Sequence, residues 1–112
     1  MAPIIWPLEE VEDHFDDIIL ESDVGAGKET RPYQRATLAV YWPPKEMFQR
    51  LAGRLPEWKG KNYLFFTGTV PTVNETVDFD TTFSVRMIDP VLDRRIELTY
   101  QVEVLDTDGF VI

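Results

Sequence analysis

The last third of the chain carries a strict period-two pattern, which limits what the chain can fold into more than any other feature. Apolar and polar side chains alternate over residues 95–105, with Ile96, Leu98, Tyr100, Val102 and Val104 set against Glu97, Thr99, Gln101 and Glu103. Successive side chains of a β-strand point to opposite faces, so the pattern predicts a strand with one buried and one solvated face. One wet face is typical of antiparallel sheets.

Shorter patterns predict the remaining elements. Further strands are expected at residues 17–20, 33–42, 63–70 and 77–88, where β-branched and aromatic residues are frequent and glycine or proline marks the ends. Short helices are expected at 7–14 and 44–52, because each opens on a proline and repeats apolar residues at helical spacing. We predict a single mainly β domain over residues 1–112, a small antiparallel β-barrel or sandwich with one or two short helices.

The amino-acid composition excludes several classes of protein. With no cysteine and His14 as the one histidine, disulfide scaffolds, thiolate metal sites and most zinc ligand sets are ruled out. No apolar run approaches the roughly 20 residues that a transmembrane helix requires, so we expect no membrane partner. The first residues lack a basic segment before their apolar run, which argues against a signal peptide and favours synthesis in the cytoplasm.

Charge is distributed unevenly along the chain. Residues 1–24 hold eight acids and no lysine or arginine, whereas residues 25–61 hold eight basic residues and three acids. Residues 62–112 are again acidic, and the net charge is −9. The simplest interpretation of the net negative charge is that it keeps the protein soluble. The sharper interpretation is that acidic and basic segments meet between neighbouring copies, or that an acidic wall faces DNA that must not bind tightly.

Local motifs that suggest catalysis or ligand binding are incomplete. Residues 25–28 read Gly-Ala-Gly-Lys, but Ser22 and Glu29 occupy the positions where a phosphate-binding loop needs glycine and Ser or Thr. Asp78 and Asp80 share a strand face and could hold a divalent ion or exchange protons, although a solvated face explains them more simply.

His14 stands beside Asp13, Asp16 and Asp17 and could be a base or a metal ligand. A surface histidine at an acidic helix end is the simpler prediction. No nucleophile–base pair accompanies it, so we expect no enzymatic activity and no cofactor.

Basic residues near one tryptophan form the main candidate site. This combination could stack on single-stranded nucleic acid, but it better fits a docking surface for an acidic protein partner, because Trp and Arg are favoured anchors of interfaces. The candidate interface residues are Arg50, Arg54, Trp58, Lys59 and Lys61, with Lys28 in the glycine-rich loop and Asp16 and Asp17 on the acidic side.

Two stretches carry a resemblance to a known family. The first runs from Phe-Asp-Asp-Ile-Ile-Leu at residues 15–20 through the glycine-rich loop and Arg31-Pro32-Tyr33 to the strand that ends at Tyr41. The second joins Phe83-Ser84-Val85-Arg86 to Arg95-Ile96, Tyr100-Gln101-Val102 and Val104-Leu105-Asp106. Together they resemble the head–tail joining proteins of tailed bacteriophages, the head-closure or stopper group. The sequence departs from that pattern at 97–99, where the family usually has a glycine.

The resemblance implies a virion structural protein. It would be a β-barrel subunit in a homo-oligomeric ring at the phage neck, made in the host cytoplasm, with portal or adaptor and tail proteins as partners. Packaged DNA would pass through its lumen without sequence-specific binding. Two alternatives remain open: an acidic DNA mimic or inhibitor, suggested by the acids before residue 24, and a small ligand-binding β module that uses Trp42, Trp58 and Tyr63 as stacking platforms.

Overall fold

Four antiparallel strands form one sheet in the computed structural model, which describes residues 2–55, 66–76 and 78–103. The strands are β1 (Ile19–Val24), β2 (Arg31–Thr37), β3 (Thr82–Asp89) and β4 (Arg94–Gln101). Their order across the sheet is β2-β1-β3-β4, which places β1 and β3 in the centre although they are distant in the sequence. β2 and β4 are therefore the edges.

Two short α-helices accompany the sheet. Helix α1 (Leu8–Val11) continues as a 3₁₀ segment, Glu12–Asp17, with a kink at His14, so the helix predicted at 7–14 is confirmed only in its first part. Helix α2 (Pro44–Arg54) confirms the helix predicted at 44–52 and extends it slightly. Proline suits the first position of α2 because its fixed φ is helical and its missing N–H would have had no partner there.

The predicted fold class, a small antiparallel β structure with one or two short helices, is confirmed. The sheet is open rather than closed into a barrel: within the described residues β2 pairs with β1, β4 pairs with β3, and the two edges do not meet. The result is a small mixed fold built on one sheet.

Strand boundaries differ from the sequence pattern where tertiary contacts intervene. The strand predicted at 33–42 ends at Thr37, where the chain turns into a short 3₁₀ segment, Leu38–Val40, closed by the amide of Tyr41 donating to the carbonyl of Leu38 at 3.0 Å. That turn places Leu38 in the core, where it is buried. The alternating pattern over residues 33–42 therefore predicts a strand correctly only as far as Thr37.

The other predicted strands are partly confirmed. Residue 77 lies outside the described part of the chain, residues 78–81 form no strand, and β3 begins at Thr82. β4 confirms the alternating segment from 95 to 101, and residues 104–105 of the predicted strand lie outside the described residues. Of the strand predicted at 63–70, the first three residues lie outside the described part of the chain. The remainder is irregular, and Gly68 has a φ of +105°, which no regular strand uses.

The core lies between the N-terminal segment and one face of the sheet. Val11, Ile18 and Leu38 are buried there, and partly buried side chains pack around them: Trp6, Leu8, Phe15, Leu20, Tyr41 and Met87. The opposite face of the sheet is polar, with Glu21 of β1 registered against Arg35 of β2 and Arg86 of β3. One wet face and one covered face agree with the period-two pattern of β4.

Candidate functional site

A groove lies beside helix α2. It has a volume of about 220 Å³ and is lined by Trp42, Met47, Arg50, Leu51, Arg54, Phe66 and Thr67. We call it the α2 groove. Counted from Met47, its other helical residues follow at three, four and seven positions, which puts all four on one face of α2. The structure thereby brings together two of the predicted interface residues, Arg50 and Arg54.

Arg50 is held in a fixed position at this groove. Its guanidinium carbon lies 3.8 Å from the centre of the Trp42 ring, and its Nη2 donates to Glu46 Oε1 at 3.0 Å one helical turn away. Trp42 is 53% exposed, yet one face of its indole is covered by this cation. Stacking of a sugar or a base on that face would require Arg50 to move, which weighs against the ligand-binding β module.

Arg54 completes the charge of the α2 groove. It is exposed in the last turn of α2, where the helix dipole favours a cation. Within residues 2–55, 66–76 and 78–103, no side-chain hydrogen bond or ion pair joins it to another residue. Phe66, 94% exposed, adds an uncovered aromatic ring. Exposed aromatics beside arginines are typical of protein interfaces.

The remaining predicted basic residues do not extend this groove. Trp58, Lys59 and Lys61 lie outside the described residues. Lys28 is exposed in a 3₁₀ turn, Gly27–Glu29, and does not line the groove. The Gly-Ala-Gly-Lys stretch lies in this connection between β1 and β2.

The acids that precede residue 24 divide into two sets. Glu10 pairs with Arg94 at 2.7 Å, and Glu21 and Asp23 both accept hydrogen bonds from Arg86, so these charges are neutralised inside the fold. Asp13 accepts a hydrogen bond from His14. The other four are exposed and make no ion pair within the described residues: Glu9, Glu12, Asp16 and Asp17. We call these four residues the acidic patch.

The prediction that His14 lies on the surface is wrong. His14 is buried, with Nδ1 donating to Asp13 Oδ1 at 2.6 Å and Nε2 donating to Asp89 Oδ2 at 2.9 Å. Donation from both ring nitrogens requires the imidazolium form. The hydrogen bonds to Asp89 and Asp13 raise the pKa of His14 above its usual value, although burial opposes them. Both ring nitrogens are engaged by carboxylates, so neither is free to take a proton from a substrate.

Asp89 is the buried partner of this pair. Burial by itself would raise the pKa of Asp89, but the hydrogen bonds from His14 and from the backbone amides of Leu92 and Val91 lower it. The carboxylate therefore stays ionised at the turn between β3 and β4. No local pattern signals this contact, since the two residues are 75 positions apart.

Asp78 and Asp80 are occupied by an arginine rather than free for a metal ion. Arg31 donates to both oxygens of Asp78, at 2.7 Å from Nε and 2.8 Å from Nη2, and its hydrogen bond lowers the pKa of that carboxyl. Asp80 accepts the amides of Thr81 and Thr82, which lower its pKa, and lies 3.4 Å from Arg31. Across residues 2–55, 66–76 and 78–103, no three His, Asp or Glu side chains gather as metal ligands.

Comparison with known proteins identifies a family. Residues 1–100 match a family described as "Protein of unknown function (DUF2848)". The chain belongs to the DUF2848 family. No curated protein and no solved structure matches it. The region shared with DUF2848 contains both the α2 groove and the acidic patch.

The description of the DUF2848 family names no activity, so the resemblance to phage head-closure proteins stays a prediction. No described helix of this DUF2848 chain is long and apolar enough to cross a bilayer.

Proposed function

We propose that this DUF2848 chain is a non-enzymatic assembly subunit in which the α2 groove of one copy receives the acidic patch of another. The observation that supports this is the presence of two complementary surfaces on one chain. Arg54 and the acidic patch each lack an ion pair within the described residues, and no ion pair joins them to each other. Both surfaces are therefore left for contacts between molecules.

An interface that joins two different surfaces has a geometric consequence. Each copy offers its groove to one neighbour and its acids to another, which generates a closed ring when the rotation closes and a filament when it does not. The narrower proposal, drawn from the sequence resemblance, is a head-closure ring at the neck of a tailed phage. Its net charge of −9 would then keep DNA in the lumen from binding tightly.

The energy of this contact cannot come from charge alone. Exposed ion pairs contribute about 0–1 kcal/mol each, and salt screens them. The apolar lining of the α2 groove and the exposed ring of Phe66 supply surface to bury, while the charges set orientation and association rate. We therefore expect salt to weaken the assembly without abolishing it.

The oligomeric state in solution tests the proposal. Light scattering over a range of protein concentrations should show assembly of the wild type, weakened by Arg54→Glu and by the double variant Asp16→Lys/Asp17→Lys. Mixing the two variants should restore assembly in alternating copies, because the reversed groove of one then faces the reversed patch of the other. Lys45→Glu is the matched control, since Lys45 is exposed on the same helix and does not line the groove.

A strict monomer at every concentration would contradict the proposal, as would Arg54→Glu behaving like Lys45→Glu.

The narrower proposal, a ring at the neck of a tailed phage, requires further evidence. Electron microscopy should show closed rings of more than two copies that bind a portal or tail protein, and open filaments or simple dimers would leave the assembly role standing while removing the phage role.

A further inference from the structure

The N-terminal segment forms one wall of a second, larger groove on the apolar face of the sheet. This groove has a volume of about 430 Å³. Ile5 and Trp6 line it on one side, and Met87, Ile96 and Leu98 of the central and edge strands line it on the other. We call residues 2–17 the strap and this space the apolar groove. Access to the apolar sheet face depends on where the strap lies.

Two basic side chains fasten the strap to the turn between β3 and β4. Arg94 lies 4.5 Å from the Trp6 ring centre and donates to Glu10 at 2.7 Å, and its Nε is 3.4 Å from Asp89. His14 of the strap donates to the same Asp89 at 2.9 Å. Asp89 is completely buried, and both His14 and Arg94 contact its carboxylate.

The contact through His14 depends on a proton. A neutral imidazole has a single N–H, so it can donate to Asp13 or to Asp89 but not to both. The charged groups around it are Asp13 in the strap, Asp89 at the end of β3, and Arg94 of β4, with Glu10 of α1 beyond Arg94. If His14 loses its charge, it keeps a hydrogen bond to only one of the two carboxylates, and the buried Asp89 loses the positive charge beside it, with Arg94 at 3.4 Å and two backbone amides as its other partners. Leaving a buried anion with less compensation is unfavourable.

We propose that the strap is a pH-sensitive lid on the apolar groove, latched while His14 is protonated and released when it loses its proton. The folded-state pKa of His14 is raised above the ordinary value of 6.5, so the latch is complete below that value and fails as pH rises through the folded pKa. This device uses none of the α2 groove residues, but the acidic patch lies within the strap, so release of the strap would also move one surface of the proposed assembly.

The experiment follows the proton and the groove in the same samples. Because His14 is the one histidine, its imidazole Hε1 resonance is assigned without ambiguity, and its titration between about pH 5.5 and 9 should have a midpoint above 6.5. Fluorescence of an apolar dye should rise several-fold with the same midpoint, while circular dichroism shows that the sheet persists. His14→Gln should remove the step, since its amide does not titrate.

Two further variants make the outcome decisive. Glu29→Gln, at an exposed acid outside both the strap and the acidic patch, should keep the step, whereas Asp13→Asn should move its midpoint to lower pH because His14 loses one stabilising carboxylate. A step that persists in folded His14→Gln would assign it to another group and overturn the proposal. If that variant does not fold, an unchanged midpoint in Asp13→Asn would overturn it instead, as would a flat dye signal while His14 titrates.

Discussion

Among single residues, Gly25 has the most constrained backbone position. Its φ is +90°, and a Cβ placed there would lie 2.5 Å from the carbonyl oxygen of Glu29. We expect Gly25→Ala to lower the free energy of unfolding by about 1–3 kcal/mol, through strain and the clash with backbone. Urea denaturation measures this loss.

Gly53 supplies the matched control for that change. It lies inside α2, and a Cβ built on it would meet no atom within 4 Å apart from its chain neighbours and the helix's own backbone, so Gly53→Ala should be neutral or stabilise by about 0.5–1 kcal/mol. Equal losses in the two variants would show that the loop geometry after β1 is not the cause.

Asp89 has the largest expected effect among the charged residues. Asp89→Asn keeps the size of the side chain but removes the buried anion that His14 and Arg94 share, and we expect a loss of about 3 kcal/mol near pH 7. The pKa of Asp89 is lowered in the folded state, so its contribution is present above the unfolded pKa of 3.8 and is lost as pH falls through the folded value.

Measuring the free energy of unfolding from pH 7 to pH 2 tests whether the contribution of Asp89 is lost as pH falls. The difference between wild type and Asp89→Asn should shrink as the wild-type carboxyl becomes protonated. A difference that stays constant over that range would mean that the charge of Asp89 contributes nothing and that the loss comes from packing.

At the level of secondary-structure elements, Arg86 joins β3 to β1. It donates to Glu21 at 2.9 Å and to Asp23 at 2.6 Å and is mostly covered by its neighbours. Arg86→Ala leaves two adjacent carboxylates without this partner, so we expect a loss of about 2–3 kcal/mol. Arg95→Ala removes an exposed pair with Glu97 and should change stability by less than about 0.5 kcal/mol. Thermal unfolding of both variants measures the contrast, and equal shifts would remove the cross-strand explanation.

Across the molecule as a whole, burial of exposed apolar side chains between copies would make folding stability depend on assembly. Trp42, Leu55 and Phe66 are among the large apolar residues that remain exposed. If copies associate through the α2 groove, folding is coupled to concentration, and each tenfold increase above the dissociation constant adds about 1.4 kcal/mol. The melting temperature should therefore rise by several degrees per tenfold concentration in the wild type. It should rise only at higher concentrations in Arg54→Glu, and a constant value in the wild type would contradict assembly.

Local sequence patterns are enough to establish the strand character of β4, the start of α2 at Pro44 and the placement of Arg50 and Arg54 on one helix. These features depend on side-chain period and on proline geometry, which act over a few residues. The end of β2 at Thr37 is not signalled by that period, since the alternation continues to Trp42 while the chain turns at Leu38, which is buried in the core.

The order β2-β1-β3-β4 likewise sets the partners of the charged residues. It brings Asp89 to His14 and Asp78 to Arg31 across long stretches of chain, and no local pattern encodes which distant strands become neighbours. A buried charge needs a partner wherever the fold places it, so the roles of these residues follow from strand order and burial rather than from their sequence neighbours.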